Sequence, residues 1–175
     1  MKQFLILLAF ASAVYTSYSQ DSSGLSYSFK EAGISIKLPN SKWYLADSEE
    51  NNSRAVYIFK REAITDNSNT HVIPNIAVII EDVDENTDVI EYSIVKRTKT
   101  PFDVSETFIH GDGKINYENA VGYKGSYTDQ RSILHTIYVV HAINKNKGIQ
   151  LILDTTSETF AEIDREFLAV LKSLK

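Results

Sequence analysis

The densest cluster of chemistry-bearing side chains runs from Glu81 to Asp88, where Asp82, Asp84, Asn86 and Asp88 place oxygens at alternate positions. That spacing can present ligands to calcium. An EF-hand loop would also want Gly where Thr87 stands and a bidentate Glu where Ser93 stands, with Glu91 the nearby substitute. The segment therefore reads first as a solvated acidic turn whose charge favours a following helix N-terminus. Calcium on Asp82, Asp84, Asn86 and Asp88 is the alternative, and no other cofactor is expected. His135 and His141 are an even number of residues apart on one extended run. They can share a face, but six residues at ~3.3 Å separate them by about 20 Å, too far for one metal ion. His110 lies beside Asp112 in a glycine-containing turn and His71 in a polar loop, without a His-x-His or Glu-x-x-His spacing. Serines are many, yet no Gly-x-Ser-x-Gly elbow or triad order frames one as a nucleophile. The carboxylates carry no marker of a glycosidase pair. Tyr117, Tyr123 and Tyr127 could form a stacking platform for a sugar or peptide, although packing within a sheet is the plainer account of strand aromatics.

The elements that must carry these residues follow from periodicity. Ser26 to Phe29, Ile34 to Leu38 and Trp43 to Ala46 are short extended runs. Asp47 to Arg54 reads as a polar loop, and Ala55 to Arg61 as a strand apolar on both faces. After a second polar loop at Thr65 to Thr70, Ile76 to Ile80 is a central strand. Asp88 to Lys99 changes period: Val89, Tyr92 and Val95 lie three apart, Thr87 can cap, acids open the segment and bases close it before Pro101. Phe102 to His110, Lys114 to Tyr117, Gly122 to Thr128, Ser132 to Ile143 and Ile149 to Thr155 read as strands joined by short turns, hence antiparallel neighbours. Glu158 to Leu174 carries one apolar stripe, Phe160, Ile163, Phe167, Val170, Leu171 and Leu174, with Thr155-x-x-Glu158 as a capping box. Eight or nine strands and two helices make an α+β chain with an antiparallel sheet.

Composition narrows the function classes. With 175 residues, 43% hydrophobic and 23% charged, the chain is one globular domain with a real core. A formal charge of −5 offers no basic excess for a phosphate backbone, so nucleic acid is not an expected partner. Zero cysteine removes thiol nucleophiles, Cys-ligated metals, disulfides and a lipid-modified cysteine, and 7 glycines leave no phosphate-cradling loop. Lys2, the apolar run Phe4 to Val14 and the small, polar stretch to Ser19 have the layout of a secretory signal, cleaved between Ser19 and Gln20. Eleven helical residues rise only about 16 Å against a hydrocarbon core of ~30 Å, which argues against an anchor, and no later segment could span. The expected organisation is a signal over 1–19, a flexible lead-in over 20–25 and a single domain over 26–175. Losing Lys2 leaves 17 basic against 23 acidic residues, a net charge of −6 for an exported, periplasmic or extracellular chain.

Ile34-Ser35-Ile36-Lys37-Leu38-Pro39 followed by Trp43-Tyr44 resembles the opening of the PsbP/Mog1/DcrB-like superfamily. Further matches are Pro74 to Ile80 leading to a helix with Glu91-Tyr92, then Gly122-Tyr123-Lys124-Gly125-Ser126-Tyr127. The hairpin Tyr138 to His141 with Gly148 to Leu153 and the terminal Leu171-Lys172-Ser173-Leu174 complete it. The resemblance is one of rhythm over nearly all of the mature chain. It implies an α-β-α sandwich around a central antiparallel sheet, and a superfamily whose members mostly bind proteins or act as accessory factors; it transfers no site residue. The resulting expectation is an exported, non-enzymatic accessory or binding protein that engages a protein or small ligand. An exported hydrolase or metal-dependent enzyme and a calcium-stabilised interaction module are the alternatives.

Overall fold

The computed structural model describes residues 25–51 and 53–175, so the signal segment, its Ser19–Gln20 cleavage site and all but the end of the lead-in lie outside the described residues. A hairpin of β1 (Ser26–Phe29) and β2 (Ile34–Lys37) opens the described chain. Strands β3 (Trp43–Glu50), β4 (Arg54–Arg61) and β7 (Asn75–Asp82) follow, with a two-residue-per-strand hairpin, β5 (Ile64–Thr65) and β6 (His71–Val72), between the last two. Helix α1 (Val89–Lys99) then precedes β8 (Asp103–Ile109), β9 (Ala120–Thr128), β10 (Leu134–Asn144), β11 (Lys147–Thr156) and α2 (Phe160–Ser173). Seven strands form one sheet in the order β3-β4-β7-β11-β10-β9-β8, antiparallel at every junction. The α+β architecture with an antiparallel sheet is therefore present. No helix among the described residues is long and apolar enough to cross a membrane.

Strand alternation divides the sheet into two faces. Registers Tyr57↔Val78↔Leu151↔Val140↔Gly122 run across one face and Val56↔Ile79↔Gln150↔His141↔Val121 across the other. The first face holds the main core. Phe59, Ile76, Val78, Val140, Leu151 and Leu153 meet the stripe Ile163, Phe167, Val170 and Leu171 of α2, all wholly or almost wholly buried. The β1–β2 hairpin completes this layer, with Tyr27 on Phe59 and Phe29 on Tyr57 at ring separations of 4.7 and 4.8 Å. It is tied to the end of α2 by paired backbone bonds between Ser35 and Lys175. The second face takes α1. Tyr92 of that helix lies over Gly148, where an added Cβ would come within 2.7 Å of the ring, so the absence of a side chain on β11 is what admits it.

Four local expectations change. The polar stretch from Asp47 is not all loop, because β3 continues to Glu50 as an edge strand whose residues beyond Trp43 are exposed; a strand with solvent on both sides shows no apolar alternation. Lys114 to Tyr117 is not a strand but a connection whose Ile115 plugs the core. Asp88, not Thr87, caps α1, accepting from the backbone of Ile90 at 2.8 Å and Glu91 at 3.3 Å. The capping box at Thr155 and Glu158 does not form, since Thr155 still belongs to β11. Its hydroxyl pairs with Thr159 instead, while Glu158 accepts from the backbone of Asn67.

Candidate functional site

The second sheet face collects the polar side chains that the main core excludes. On β10, His141 is 2% exposed and its Nδ1 lies 2.8 Å from the hydroxyl of Ser93 on α1, itself wholly buried. That same hydroxyl lies 2.8 Å from the Tyr123 hydroxyl of β9, and Tyr92 and Tyr123 both set ring edges against the imidazole. The serine–histidine pair has the composition of a nucleophile and its base. The Ser93 oxygen is buried beneath α1 between the His141 imidazole and the Tyr123 hydroxyl, and among the described residues no carboxylate hydrogen-bonds the ring. Burial, then the charges of Lys96 and Arg97, depress the His141 pKa to about 4, so the imidazole is neutral at pH 7.

This depression makes a prediction. Because the unfolded chain binds the proton near the ordinary pKa of 6.5 and the folded chain only near 4, the stability involved is intact above pH 6.5 and lost as the pH falls towards 4. The shift corresponds to a loss on the order of 3 kcal/mol. Urea unfolding at pH 7.5 and 4.5 should show a smaller acid loss for His141→Gln than for the parent; equal losses would remove His141 as the source.

Six residues back along β10, His135 occupies a separate cluster. Its Nδ1 donates to Asp154 at 2.9 Å, its ring stacks on Tyr127 at 4.9 Å, and its buried Nε2 stands 3.8 Å from Asp129 with no hydrogen-bond partner. Tyr127 also donates to Asp154 at 3.1 Å, and Asn75 approaches the same carboxylate at 3.5 Å. Burial and the Asp154 charge raise the Tyr127 phenol well above its ordinary value.

Between these clusters, α1 and the segment that follows it leave a groove of about 190 Å³. Its floor is Ile137, Val139 and Ile152; Pro101 and Phe102 form one wall. Phe102 can lie flat against the sheet because Gly125 leaves room: a Cβ there would meet its ring at 2.6 Å. At the rim, the Arg97 guanidinium sits 4.7 Å from the Tyr123 ring centre and 5.7 Å from that of Phe102. Lys96 beside it is paired with Glu81.

The acidic segment is arranged otherwise. Asp82 pairs with Lys147, Asp88 is turned to the backbone of α1, the backbone carbonyl of Asp84 closes a turn to Thr87, and Asn86 is exposed. Among the described residues no three His, Asp or Glu side chains converge as metal ligands. His110 bonds the carbonyl of Asn116, His71 the hydroxyl of Thr65, and Asp112 accepts from the backbone of Ile109 within its own turn. The three tyrosines do not form one platform: Tyr117 precedes β9 and packs on the main core, while Tyr123 and Tyr127 lie on the opposite face.

The layout, with seven antiparallel strands, a hairpin laid over one face and a helix closing the chain, was compared with known proteins. No family model matches the sequence, and no curated protein matches it. Solved structures do. The solution structure of cyanobacterial PsbP (CyanoP) from Synechocystis sp. PCC 6803 superposes with a TM-score of 0.54 at 15% identity, covering 94% of this chain and 97% of that one. The chain has a PsbP-like fold. LpqN, involved in cell envelope biogenesis of Mycobacterium tuberculosis, matches with a TM-score of 0.50 at 13% identity over 87% of this chain and 84% of its own. A crystal structure from Bacteroides thetaiotaomicron VPI-5482 matches with a TM-score of 0.51 at 11% identity; the chain spans 48% of its length. The PsbP-like fold thus agrees with the rhythm read from Leu38-Pro39 and Trp43-Tyr44 onward.

Proposed function

We propose that this protein is an exported accessory domain that binds a small ligand rather than transforming one, with the groove beside α1 as its binding site. The observation that carries this is the partial cover of the second sheet face: α1 buries Ser93 completely but leaves beside it a groove lined by Ile137, Val139, His141 and Ile152. An apolar floor with a few polar groups at its rim is the usual make-up of a ligand pocket. The buried serine and the neutral histidine act as struts for that cleft. Export rests on the n, h and c layout of the first nineteen residues, and the LpqN likeness supports an envelope setting. The same reading takes the layers as an α-β-α sandwich, supported by Tyr138 meeting α2 and His141 meeting α1 from opposite sides of β10.

The test is a small-fragment screen by NMR on the folded chain. The expected result is that compounds shift the amides of Ile137, Val139, Ile152 and Arg97 together and are recovered unchanged after long incubation. Chemical conversion of a groove-bound compound would replace this reading with the enzymatic one, and a screen that leaves the groove untouched would end it.

A further inference from the structure

We propose that the groove selects a small organic carboxylate, with an apolar body of about one ring or a short alkyl chain on the sheet and its carboxylate on Arg97. This rests on the groove being a binding site and adds the class of ligand. Three observations lead to it. First, Arg97 is a positioned cation without an anion: it is half-buried against Tyr123 and Phe102, and it makes no ion pair with any described carboxylate. Aromatic faces fix the plane of a guanidinium while leaving its N–H edge available, and that edge matches a carboxylate bidentately.

Second, among the described residues no carboxylate of the groove pairs with Arg97. Asp154 is the one carboxylate that lines the groove, and its oxygens already accept from His135, Tyr127 and Asn75. Lys96 is neutralised by Glu81. With Arg97 as the unpaired cation and the Asp154 carboxylate already in the lining, the cleft suits a monoanion, since a second negative charge would enter uncompensated. A phosphate dianion is thereby disfavoured.

Third, the size and surface fit. A dry apolar cavity of roughly 150 Å³ accepts benzene in a well-studied engineered case, so about 190 Å³ admits a ring or short chain together with its headgroup. Ile137, Val139 and Ile152 give that body apolar contact, and Phe102 adds an aromatic wall.

The experiment titrates the full folded chain with benzoate and hexanoate, with the neutral benzyl alcohol and hexanol, with benzylamine, and with inorganic phosphate, following groove amides by NMR. The carboxylates should bind about tenfold or more tightly than the alcohols, as a charge-assisted pair over a neutral one implies, and benzylamine and phosphate should not bind the groove. Arg97→Gln should erase the preference for carboxylate and leave alcohol binding in place, whereas Arg97→Lys keeps part of it; thermal melts confirm that both variants fold. Equal binding of benzoate and benzyl alcohol, a preference that survives Arg97→Gln, or tighter binding of benzylamine or phosphate overturns the carboxylate assignment while the groove stands as a site. If no probe shifts the groove, or if Val139→Phe, which should fill it, leaves the probe shifts unchanged, the assignment and the binding reading beneath it fall together.

Discussion

Ending the chain at Thr159 is expected to leave a protein without a cooperative unfolding transition. Helix α2 supplies Ile163, Phe167, Val170 and Leu171, each 0% exposed, and Leu174 follows at 1%. Full burial of such a side chain is worth about 1.5–3 kcal/mol. Five of them together match the net stability of an ordinary domain, roughly 5–15 kcal/mol. The truncated chain would also uncover the apolar face formed by β4, β7, β11 and β10, and lose the backbone pairing of Ser35 with Lys175 that holds the β1–β2 hairpin. With no cysteine to staple what remains, nothing offsets the loss. Phe167→Ala isolates the effect at one site, where the ring packs 6.0 Å from Trp43 and 6.4 Å from Phe160. It should lower stability by about 3–5 kcal/mol in a urea titration. A truncated chain that still melts sharply with dispersed NMR signals would show that the sheet and hairpin suffice without the helix.

The helix was legible in the sequence because its signal is local: six apolar residues at helical spacing fix both its existence and the face it buries. The β10–β11 hairpin and the central β7 were legible for the same reason. Edge strand β3 was not, since a strand exposed beyond Trp43 carries no period of two. The candidate site was the least legible part. Ser93 and His141 are 48 residues apart and meet only because α1 crosses the sheet at that point. The even spacing of His135 and His141 did place both on one face, and it also placed them in separate clusters. What periodicity could not supply was which portion of that face α1 leaves open. Gly125 and Gly148 were the available signals: glycines inside strands mark close approach, here of Phe102 and Tyr92, the two rings that bound the covered and uncovered halves.

Replacing Glu166 with Ala is expected to cost about 3 kcal/mol, the lower end of the range for stranding one member of a buried ion pair, because Arg61 is buried while Glu166 keeps part of its surface in water. Arg61 is 6% exposed at the end of β4. Its guanidinium meets both carboxylate oxygens of Glu166 on α2, at 3.1 and 3.2 Å, and the Trp43 indole donates to the same carboxylate at 2.6 Å. One side chain therefore ties β3, β4 and α2 together. Burial by itself would raise the Glu166 carboxyl; hydrogen bonds from Arg61 and Trp43 outweigh it and hold the group below the usual carboxylate range. A carboxyl depressed in the folded state contributes stability above its unfolded pKa and loses it as the pH falls through the folded value. The acid sensitivity due to Glu166 thus begins only below about pH 4.5, at the acid end of the window set by His141, so losses between pH 6.5 and about 5 report His141 and not Glu166. The double variant Arg61→Met/Glu166→Leu decides the cause. If the cost of Glu166→Ala is the uncompensated cation, removing both charges should recover most of it, less the roughly 1 kcal/mol lost when the Trp43 donor has no acceptor. If the double variant is as unstable as Glu166→Ala, the ion pair itself, and not the avoidance of a stranded charge, holds α2 to the sheet.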